Sequence, residues 1–185
     1  GAVNVTISPP IVANGGTFTG SGSLFIGSSG NGVTVNNDST ISSGIYLQGD
    51  TTFTTAAGAA LDVGGVINQQ SQRSLIKDGS GTLTLSGANV YTGTTTINGG
   101  TLRLANNLAL QNSALNTDGG GNLVLDITTP TIGGLNGNTD LATVISSGYN
   151  SVTALTLNPA SGVTATYNGI IADGTGGMTL TKSGA

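Results

Sequence analysis

The sequence predicts an all-β fold, and more narrowly a β-solenoid with about 20 residues per coil. Strand patterns of one type recur along the chain, and an internal repeat begins again 105 residues later. Helix signals are almost absent, because the helix former Glu does not occur and Gly or Asn interrupts nearly every stretch of ten residues. A fixed period in an all-β sequence is typical of stacked coils.

Four short strand segments share the order Gly, small or polar, apolar, any residue, apolar. They are GSLFI (22–26), GTLTL (81–85), GTLRL (100–104) and GNLVL (121–125). The last three begin 19 and 21 residues apart, which suits one coil of a solenoid. The alternation predicts that their leucines share one inward face, whereas Thr82, Thr84 and Arg103 point outward.

The predicted core is narrow and aliphatic, in keeping with an aromatic content of only 4%. Its strongest candidates are Leu83, Leu85, Ile97, Leu102, Leu104, Leu123 and Leu125. Further candidates are Val33, Val35, Ile41, Ile45, Leu47, Leu61, Val63, Ile67, Ile132, Leu135, Val144, Ile145, Leu155, Leu157, Val163, Ile170 and Ile171. Burying one such side chain contributes ~1.5–3 kcal/mol. A single coil cannot bury its own apolar face, so neighbouring coils must supply the burial.

Asn-Gly pairs mark the predicted corners between strands, because they tolerate a positive φ. They occur at Asn14-Gly15, Asn31-Gly32, Asn98-Gly99, Asn136-Gly137 and Asn168-Gly169. The alternative interpretation is that they are hairpin turns of a β-sandwich. The spacing near 20 residues favours coils. The only segment with helical promise is 105–115, which is expected to form at most one turn.

We expect one continuous β-helical domain over residues 1–185, with 1–20 as an irregular or edge region. Residues 75–104 form a complete repeat, and 180–185 begin a second copy that aligns Lys182 with Lys77. Because that copy breaks off, the sequence is expected to be a fragment or a processed product. No apolar run reaches the length of a membrane span.

The charge composition excludes several classes of function. Four Lys and Arg residues stand against eight Asp, for a formal net charge of −4. Nucleic acids and anionic lipids require several basic side chains on one face, so neither partner is expected. The chain has no His and no Cys, the residues of most metal sites, nucleophiles and general bases. No catalytic residue, metal ligand or cofactor site is therefore predicted.

Three weaker alternatives stay open. Two of the carboxylates could form a glycosidase pair, although Asp is commonplace in turns; they are Asp38, Asp50, Asp62, Asp78, Asp118, Asp126, Asp140 and Asp173. Thr-x-Thr triplets could order water as in ice binding, although outward Thr is usual on exposed strands; they begin at Thr52, Thr82, Thr94, Thr164 and Thr179. Tyr46, Tyr91, Tyr149 and Tyr167 either stack on sugars or cap the core at coil corners.

Residues 75–104 resemble the passenger-associated transport repeat, also called the autotransporter-associated β-strand repeat. The family pattern is matched at Leu75, Lys77, Gly79, Gly81, Thr82, Leu83, Thr84, Leu85, Ser86, Gly87, Asn89, Tyr91, Thr92, Gly93, Thr95, Ile97, Gly100, Thr101 and Leu102, and Ile76 departs from its usual Thr. The resemblance implies a right-handed parallel β-helix, exported to the bacterial surface, extended as a rod and without catalytic residues. It also implies an outer-membrane anchor in the full-length protein.

Two functions are therefore weighed. The first is a non-catalytic structural segment that forms a stalk, fibre or surface-layer rod. The alternative is an adhesin module that binds glycan or another cell through exposed Thr, Asn and Tyr faces. The expected location is extracellular, at the bacterial cell surface. The open strand at each end predicts either end-to-end self-association or continuation of the same polypeptide.

Overall fold

The computed structural model describes residues 5–7, 11–26 and 32–184. Their strands are β1 (Val5–Ile7), β2 (Ile11–Phe18), β3 (Ser23–Ile26), β4 (Gly32–Ile41), β5 (Gly44–Leu47), β6 (Thr51–Thr55), β7 (Ala60–Val63), β8 (Ile67–Gln69), β9 (Leu75–Asp78), β10 (Thr82–Leu85), β11 (Thr94–Ile97), β12 (Thr101–Leu104), β13 (Leu110–Asn116), β14 (Asn122–Leu125), β15 (Thr131–Asn136), β16 (Ile145–Ser147), β17 (Ala154–Leu157) and β18 (Thr179–Lys182). Helix is limited to α1 (Leu141–Val144) and a 3-10 helix (Tyr149–Ser151) in this part of the chain.

The strands pair in parallel, each with the strand one coil earlier or later in the chain. The chain thus forms a β-solenoid of about 8 turns with about 22 residues per turn. Both the all-β solenoid and the coil length are confirmed. A hairpin connects antiparallel strands, so the sandwich interpretation of the Asn-Gly pairs is wrong for the described residues. The right-handed winding stays a prediction of the resemblance.

Three ladders of strands run along the solenoid. The first face contains β1, β3, β5 and β8. The second face begins with the first half of β4 and continues through β6, β9, β11 and the last residues of β13 and β15. The third face begins with the second half of β4 and continues through β7, β10, β12, β14 and β16. The long strand β4 therefore joins two faces.

The core is a column of stacked aliphatic side chains inside the coils. On the third face, Leu83 pairs with Leu102, and Leu102 pairs with Leu123. These partners are 19 and 21 residues apart, as the Gly-led strand pattern predicts. Leu85, Leu104 and Leu125 form the neighbouring column. Because alternate side chains of a strand point to opposite faces, each four-residue strand contributes two residues to the interior.

Several details differ from the sequence expectations. Ile170, a predicted core residue, is 61% exposed, and Leu157, Val163 and Ile171 are only partly buried. The last described coils lack the full set of neighbours that buries the earlier ones. The segment 105–115 forms one hydrogen-bonded turn from Asn106 to Ala109 and then enters β13, so it contains no longer helix.

The corners also differ from expectation in part. Gly15 and Gly137 have the positive φ predicted for an Asn-Gly pair. In the 98–100 turn, however, the positive φ belongs to Gly100, at +62°, and Gly99 has none. Gly169 is not in the left-handed region either, and Asn31 lies outside the described residues. Within the predicted irregular or edge region 1–20, β2 pairs with β4 with a register shift between Ala13 and Asn14.

Candidate functional site

The seven residues singled out as structural core lie inside the solenoid. Leu83, Leu85, Ile97, Leu102, Leu104, Leu123 and Leu125 are each at most 5% exposed. Their side chains contact other coils and not solvent, so they cannot contact a soluble ligand in the folded protein. Any functional group must therefore be sought among the buried polar residues or on the outer faces.

Lys77 is the most unusual of the buried polar residues. Its side chain is fully buried and points inward from β9, in register between Phe53 on β6 and Ile97 on β11. The ammonium Nζ donates to the carbonyl oxygens of Asp78 at 2.7 Å, Gly79 at 2.9 Å and Gly99 at 3.1 Å. We call this arrangement the lysine cage. The three N–H donors of the ammonium are matched by three carbonyl acceptors. A buried charge requires such complete hydrogen bonding.

The lysine cage connects two successive coils, because Gly99 lies one coil beyond Asp78 and Gly79. Burial lowers the pKa of Lys77 to about 8, and the nearby Asp78 carboxylate partly opposes that change. Lys77 and Lys182, which the repeat aligns, differ in exposure: Lys77 is buried and Lys182 is exposed. The alternation of side chains along β9 places Lys77 on the inner face, although a charged side chain is usually exposed to solvent.

A second set of buried polar side chains, between β8 and β13, also connects successive coils. Asn89 accepts from the backbone N–H of Ile67 at 2.8 Å and donates to the carbonyl of Ala109 at 3.0 Å, so one amide connects three coils. The Tyr91 hydroxyl lies 2.7 Å from Thr95 Oγ1. Sequence reasoning did not assign these roles, although both Asn89 and Tyr91 are matched positions of the repeat pattern.

The hydroxyl row ends on the backbone. Thr95 Oγ1 lies 2.7 Å from Ser113 Oγ, which donates to the carbonyl of Gly93 at 2.6 Å. All these side chains are buried, and burial raises the pKa of Tyr91 to about 12, with its hydroxyl partners opposing the rise. A neutral phenol with satisfied hydrogen bonds is suited to holding coils together and not to proton transfer near neutral pH.

The carboxylates are all engaged in hydrogen bonds within the chain. Each of the eight Asp side chains accepts a hydrogen bond from the chain itself, most of them from a residue about one coil away; the donors are the backbone of Ala60, Ser74, Gly79, Ile170 and Met178, the Ser86 hydroxyl, the Arg103 guanidinium, and Asn138 with Thr139. No group of three or more metal-ligating side chains occurs among the described residues. This engagement favours the interpretation of the Asp residues as corner groups.

Asp118 shows how such a corner is built. Its carboxylate accepts from the backbone N–H and side-chain amide of Asn138 and from the N–H and hydroxyl of Thr139, all between 2.9 and 3.1 Å. These donors, the Asn138 N–H foremost, hold the pKa of Asp118 below its usual range. The group is exposed, yet its acceptor positions are occupied by the next coil.

Outward threonines stack in short columns on successive coils, and Thr131, Thr156 and Thr181 form one of these columns. On the second face, the outward row of Thr52 continues through Ile76 to Thr96 and then Asn116. The adjoining outward position of Thr54 is followed by Asp78. A flat water-ordering surface requires the same side chain on successive coils, and these two rows of the second face are interrupted by Ile76 and Asp78.

The four tyrosines separate into two classes. Tyr91 and Tyr149 are buried and Tyr167 is partly buried, with hydroxyls bonded to Thr95, to the Ala172 carbonyl, and to the Thr139 and Ile170 carbonyls. Tyr46 differs, because it lies on the outer side of the first face. Its ring centroid is 4.9 Å from that of Phe25 on the preceding coil. This pair is an aromatic contact between two successive coils on the outer side of the solenoid.

Comparisons with known proteins identify the repeat. A family described as the passenger-associated-transport-repeat matches residues 75–104. A 70-residue stretch is 46% identical to a protein named "Adhesin BmaC autotransporter" from Brucella suis biovar 1 (strain 1330). That stretch covers 36% of this chain and 2% of the relative, so the chain spans only a small part of the relative's length. The comparison with solved structures gave no significant match. No helix of the described residues is long and apolar enough to span a bilayer.

Proposed function

We propose that this chain, an extracellular, surface-exposed segment of an autotransporter passenger that contains the passenger-associated-transport-repeat, is a non-catalytic rod element. The single observation that carries the proposal is the use of polar side chains. The buried lysine, asparagine and hydroxyl groups all bond to the backbone or side chains of adjacent coils. These polar side chains hold adjacent coils together, so they are not free to take part in a catalysed reaction.

The absence of an activity is supported by composition and by geometry. The sequence contains no His and no Cys. The carboxylates are each bonded within the chain, and the buried titratable groups Lys77, Tyr91 and Tyr149 all form hydrogen bonds within the chain. A general acid or base must reach a substrate atom at hydrogen-bond distance. None of these groups meets that condition in the folded coil.

The rod proposal is tested by microscopy of the full-length passenger at the cell surface. About 8 turns at ~4.8 Å per strand spacing give a segment roughly 40 Å long. We expect straight rods with that axial strand spacing. Deleting residues 83–101, which joins Thr82 to Leu102 and removes one coil, should shorten the rod by one spacing and leave it straight. Compact particles, or a bend at the deletion, would contradict the proposal.

An adhesin module is the second candidate, and the Phe25–Tyr46 pair favours it. Both rings lie on the outer side of the first face, and the relative is itself named an adhesin. The partner would be a glycan presenting an apolar sugar face. A glycan array of the purified chain should show binding that Tyr46→Ala abolishes, while Tyr46→Phe retains it. An array without hits, or hits insensitive to Tyr46→Ala, removes this candidate.

The partner expected at each end of the rod is another stretch of β-solenoid. We propose that each open end is covered by further coils, contributed by the continuing polypeptide or by another copy in end-to-end association. The net charge of −4 and the small number of basic side chains give no support to nucleic acid as a partner.

A further inference from the structure

We propose that Asn98, in the turn after β11, is a site of covalent modification: it loses its side-chain amide spontaneously through a succinimide, and the product opens the lysine cage. The reaction requires only water and the N–H of the neighbouring Gly99. It does not depend on the proposed rod function. Three other Asn-Gly pairs among the described residues provide an internal comparison, and they lie at 14–15, 136–137 and 168–169.

The chemistry of an Asn-Gly pair is intramolecular, so its groups are already close together. The backbone nitrogen of Gly99 attacks Cγ of Asn98, and an N–Cγ bond forms. The Cγ–Nδ2 bond breaks, and ammonia leaves with the proton of the Gly99 N–H. Water then opens the succinimide at one of its two carbonyls. Breaking the new N–Cγ bond gives aspartate, whereas breaking the bond from nitrogen to the original backbone carbonyl carbon gives isoaspartate.

The side chain of Asn98 is free to react, whereas those of the other pairs are held in place. Asn98 is exposed, and its side chain forms no hydrogen bond with the other described residues. Each of the other three side chains is bonded to an adjacent coil: Asn14 to the Asn36 amide at 2.8 Å, Asn136 to the Thr166 N–H at 2.9 Å, and Asn168 to the Asn138 amide at 3.0 Å. Attack on Cγ requires the side chain to rotate toward the following nitrogen, and these bonds oppose that rotation.

The nucleophile of this pair is free as well. The Gly99 N–H donates no hydrogen bond to the other described residues, whereas the Gly137 N–H donates to the Thr166 carbonyl at 3.1 Å. A nucleophile that must first break a hydrogen bond reacts on the order of tenfold more slowly. Asn98 should therefore be modified before Asn136.

The backbone does not require a glycine at position 99. Gly99 lies outside the left-handed region, and the nearest atom to a Cβ there would be the Gly79 carbonyl oxygen, at 3.3 Å. Gly137, by contrast, has φ +113°, and its Cβ would lie 2.5 Å from the Thr117 hydroxyl. A side chain after Asn hinders the attack and glycine does not, because it has no Cβ. Gly99 thus keeps Asn98 reactive at a position where the fold accommodates alanine.

Modification of Asn98 acts on the lysine cage because this turn is part of it. The Gly99 carbonyl accepts from Lys77 Nζ at 3.1 Å, and the Asn98 N–H donates to the Lys77 carbonyl at 2.8 Å. Isoaspartate lengthens the main chain between these two contacts by one atom. The turn has little room for it, because a Cβ on Gly100 would already lie 2.3 Å from the Gly81 carbonyl oxygen. The buried ammonium therefore loses the acceptor that the following coil provides.

The test incubates the folded chain in mildly alkaline buffer and follows each Asn-Gly pair by peptide mapping with mass spectrometry, since replacing an amide by a carboxyl raises the mass. We expect Asn98 to be modified on the order of tenfold faster than Asn136, with isoaspartate as the main product. In the urea-unfolded chain all the Asn-Gly pairs should react at similar rates. Equal rates at Asn98 and Asn136 in the folded chain, or a slower rate at Asn98, overturn the site.

Two alanine variants test the role of Gly99. Gly99→Ala should slow the modification of Asn98 on the order of tenfold and leave the circular dichroism spectrum unchanged. Gly64→Ala is the matched control, because Gly64 also lies outside the left-handed region and a Cβ there meets nothing within 4 Å. It should leave the rate at Asn98 unchanged. A rate in Gly99→Ala equal to that of the wild type contradicts the proposed attack.

Hydrogen exchange tests the opening of the lysine cage. The isoaspartate form carries an added negative charge, so ion exchange separates it from the unmodified chain. We expect the amides of β9 and β11 to exchange on the order of tenfold faster in the modified form. Asn98→Gln, whose longer side chain closes a larger ring slowly, should neither gain mass nor change its exchange during the same incubation. Unchanged exchange in the isoaspartate form would refute the opening of the lysine cage.

Discussion

The Oδ1 atom of Asn89 accepts a hydrogen bond from the backbone N–H of Ile67 at 2.8 Å, 22 residues earlier and one coil away. Its amide nitrogen donates at 3.0 Å to Ala109, one coil later. The side chain therefore replaces backbone ladder contacts at a corner where the strands are interrupted. An unpaired buried donor or acceptor costs about 1–3 kcal/mol, so a single amide satisfying two of them is a strong stabilising element.

Asn89→Leu should lower the free energy of unfolding by about 2–4 kcal/mol, because it leaves the Ile67 N–H and the Ala109 carbonyl without this partner. Chemical denaturation followed by circular dichroism measures the change. Asn122→Ala is the matched control, since Asn122 is exposed on the third face, and its effect should stay within about 0.5 kcal/mol. Equal losses in the two variants would refute the role given to Asn89.

Lys77 should make stability depend on pH in the alkaline range. Its pKa is lowered to about 8 in the folded state from 10.5. Between these values the unfolded chain binds more protons, so the free energy of unfolding rises with pH. Below pH ~8 both states are protonated, and the unfavourable burial of the charge is fully present.

Lys77→Met tests this dependence, because it keeps the length of the side chain and removes the charge. The difference in unfolding free energy between wild type and variant should change from about pH 8 to about pH 10.5 and be flat below pH 7. Lys182→Met, which removes an exposed ammonium, is the matched control. A pH-independent difference for Lys77→Met would show that Lys77 is not buried as a charge.

Tyr91 should have the opposite effect on the pH dependence of stability, at higher pH than Lys77. Burial raises its pKa from 10.0 to about 12. Between these values the folded state keeps a proton that the unfolded state loses, so stability falls as pH rises. Tyr91→Phe should weaken that fall between pH 10 and 12, and Tyr46→Phe, on the outer face, is the control variant. The wild-type slope persisting in Tyr91→Phe would contradict the assignment.

Two glycines with similar backbones should respond differently to alanine. Gly79 has φ +72° and Gly120 has φ +87°, but a Cβ on Gly79 would lie 2.3 Å from the Thr55 carbonyl oxygen, whereas one on Gly120 meets nothing within 4 Å. Gly120→Ala should lower stability by roughly 1–2 kcal/mol through backbone strain alone. Gly79→Ala must also separate two coils, so we expect a loss above roughly 3 kcal/mol. Thermal unfolding of both variants makes the comparison, and equal losses would remove close coil contact as the reason for Gly79.

The sequence by itself determined the solenoid, the coil length and the inward leucines. These follow from local rules: strand alternation decides which side of Leu83 or Leu102 is buried, and the distance between Gly-led strands equals one coil when the pairing is parallel. The repeat at 75–104 likewise identified the class of exported protein, since its pattern is continuous in sequence.

Only the tertiary structure decided the roles of Lys77, Asn89 and the Asp residues. Each depends on atoms about 20 residues away, such as the Gly99 carbonyl for Lys77 and the Asn138 N–H for Asp118. The sequence contains both partners but not the register and corner geometry that bring them within 3.1 Å. For the same reason, Lys77 and Lys182 are equivalent in sequence yet one is buried and the other exposed, because burial is supplied by the coil that follows.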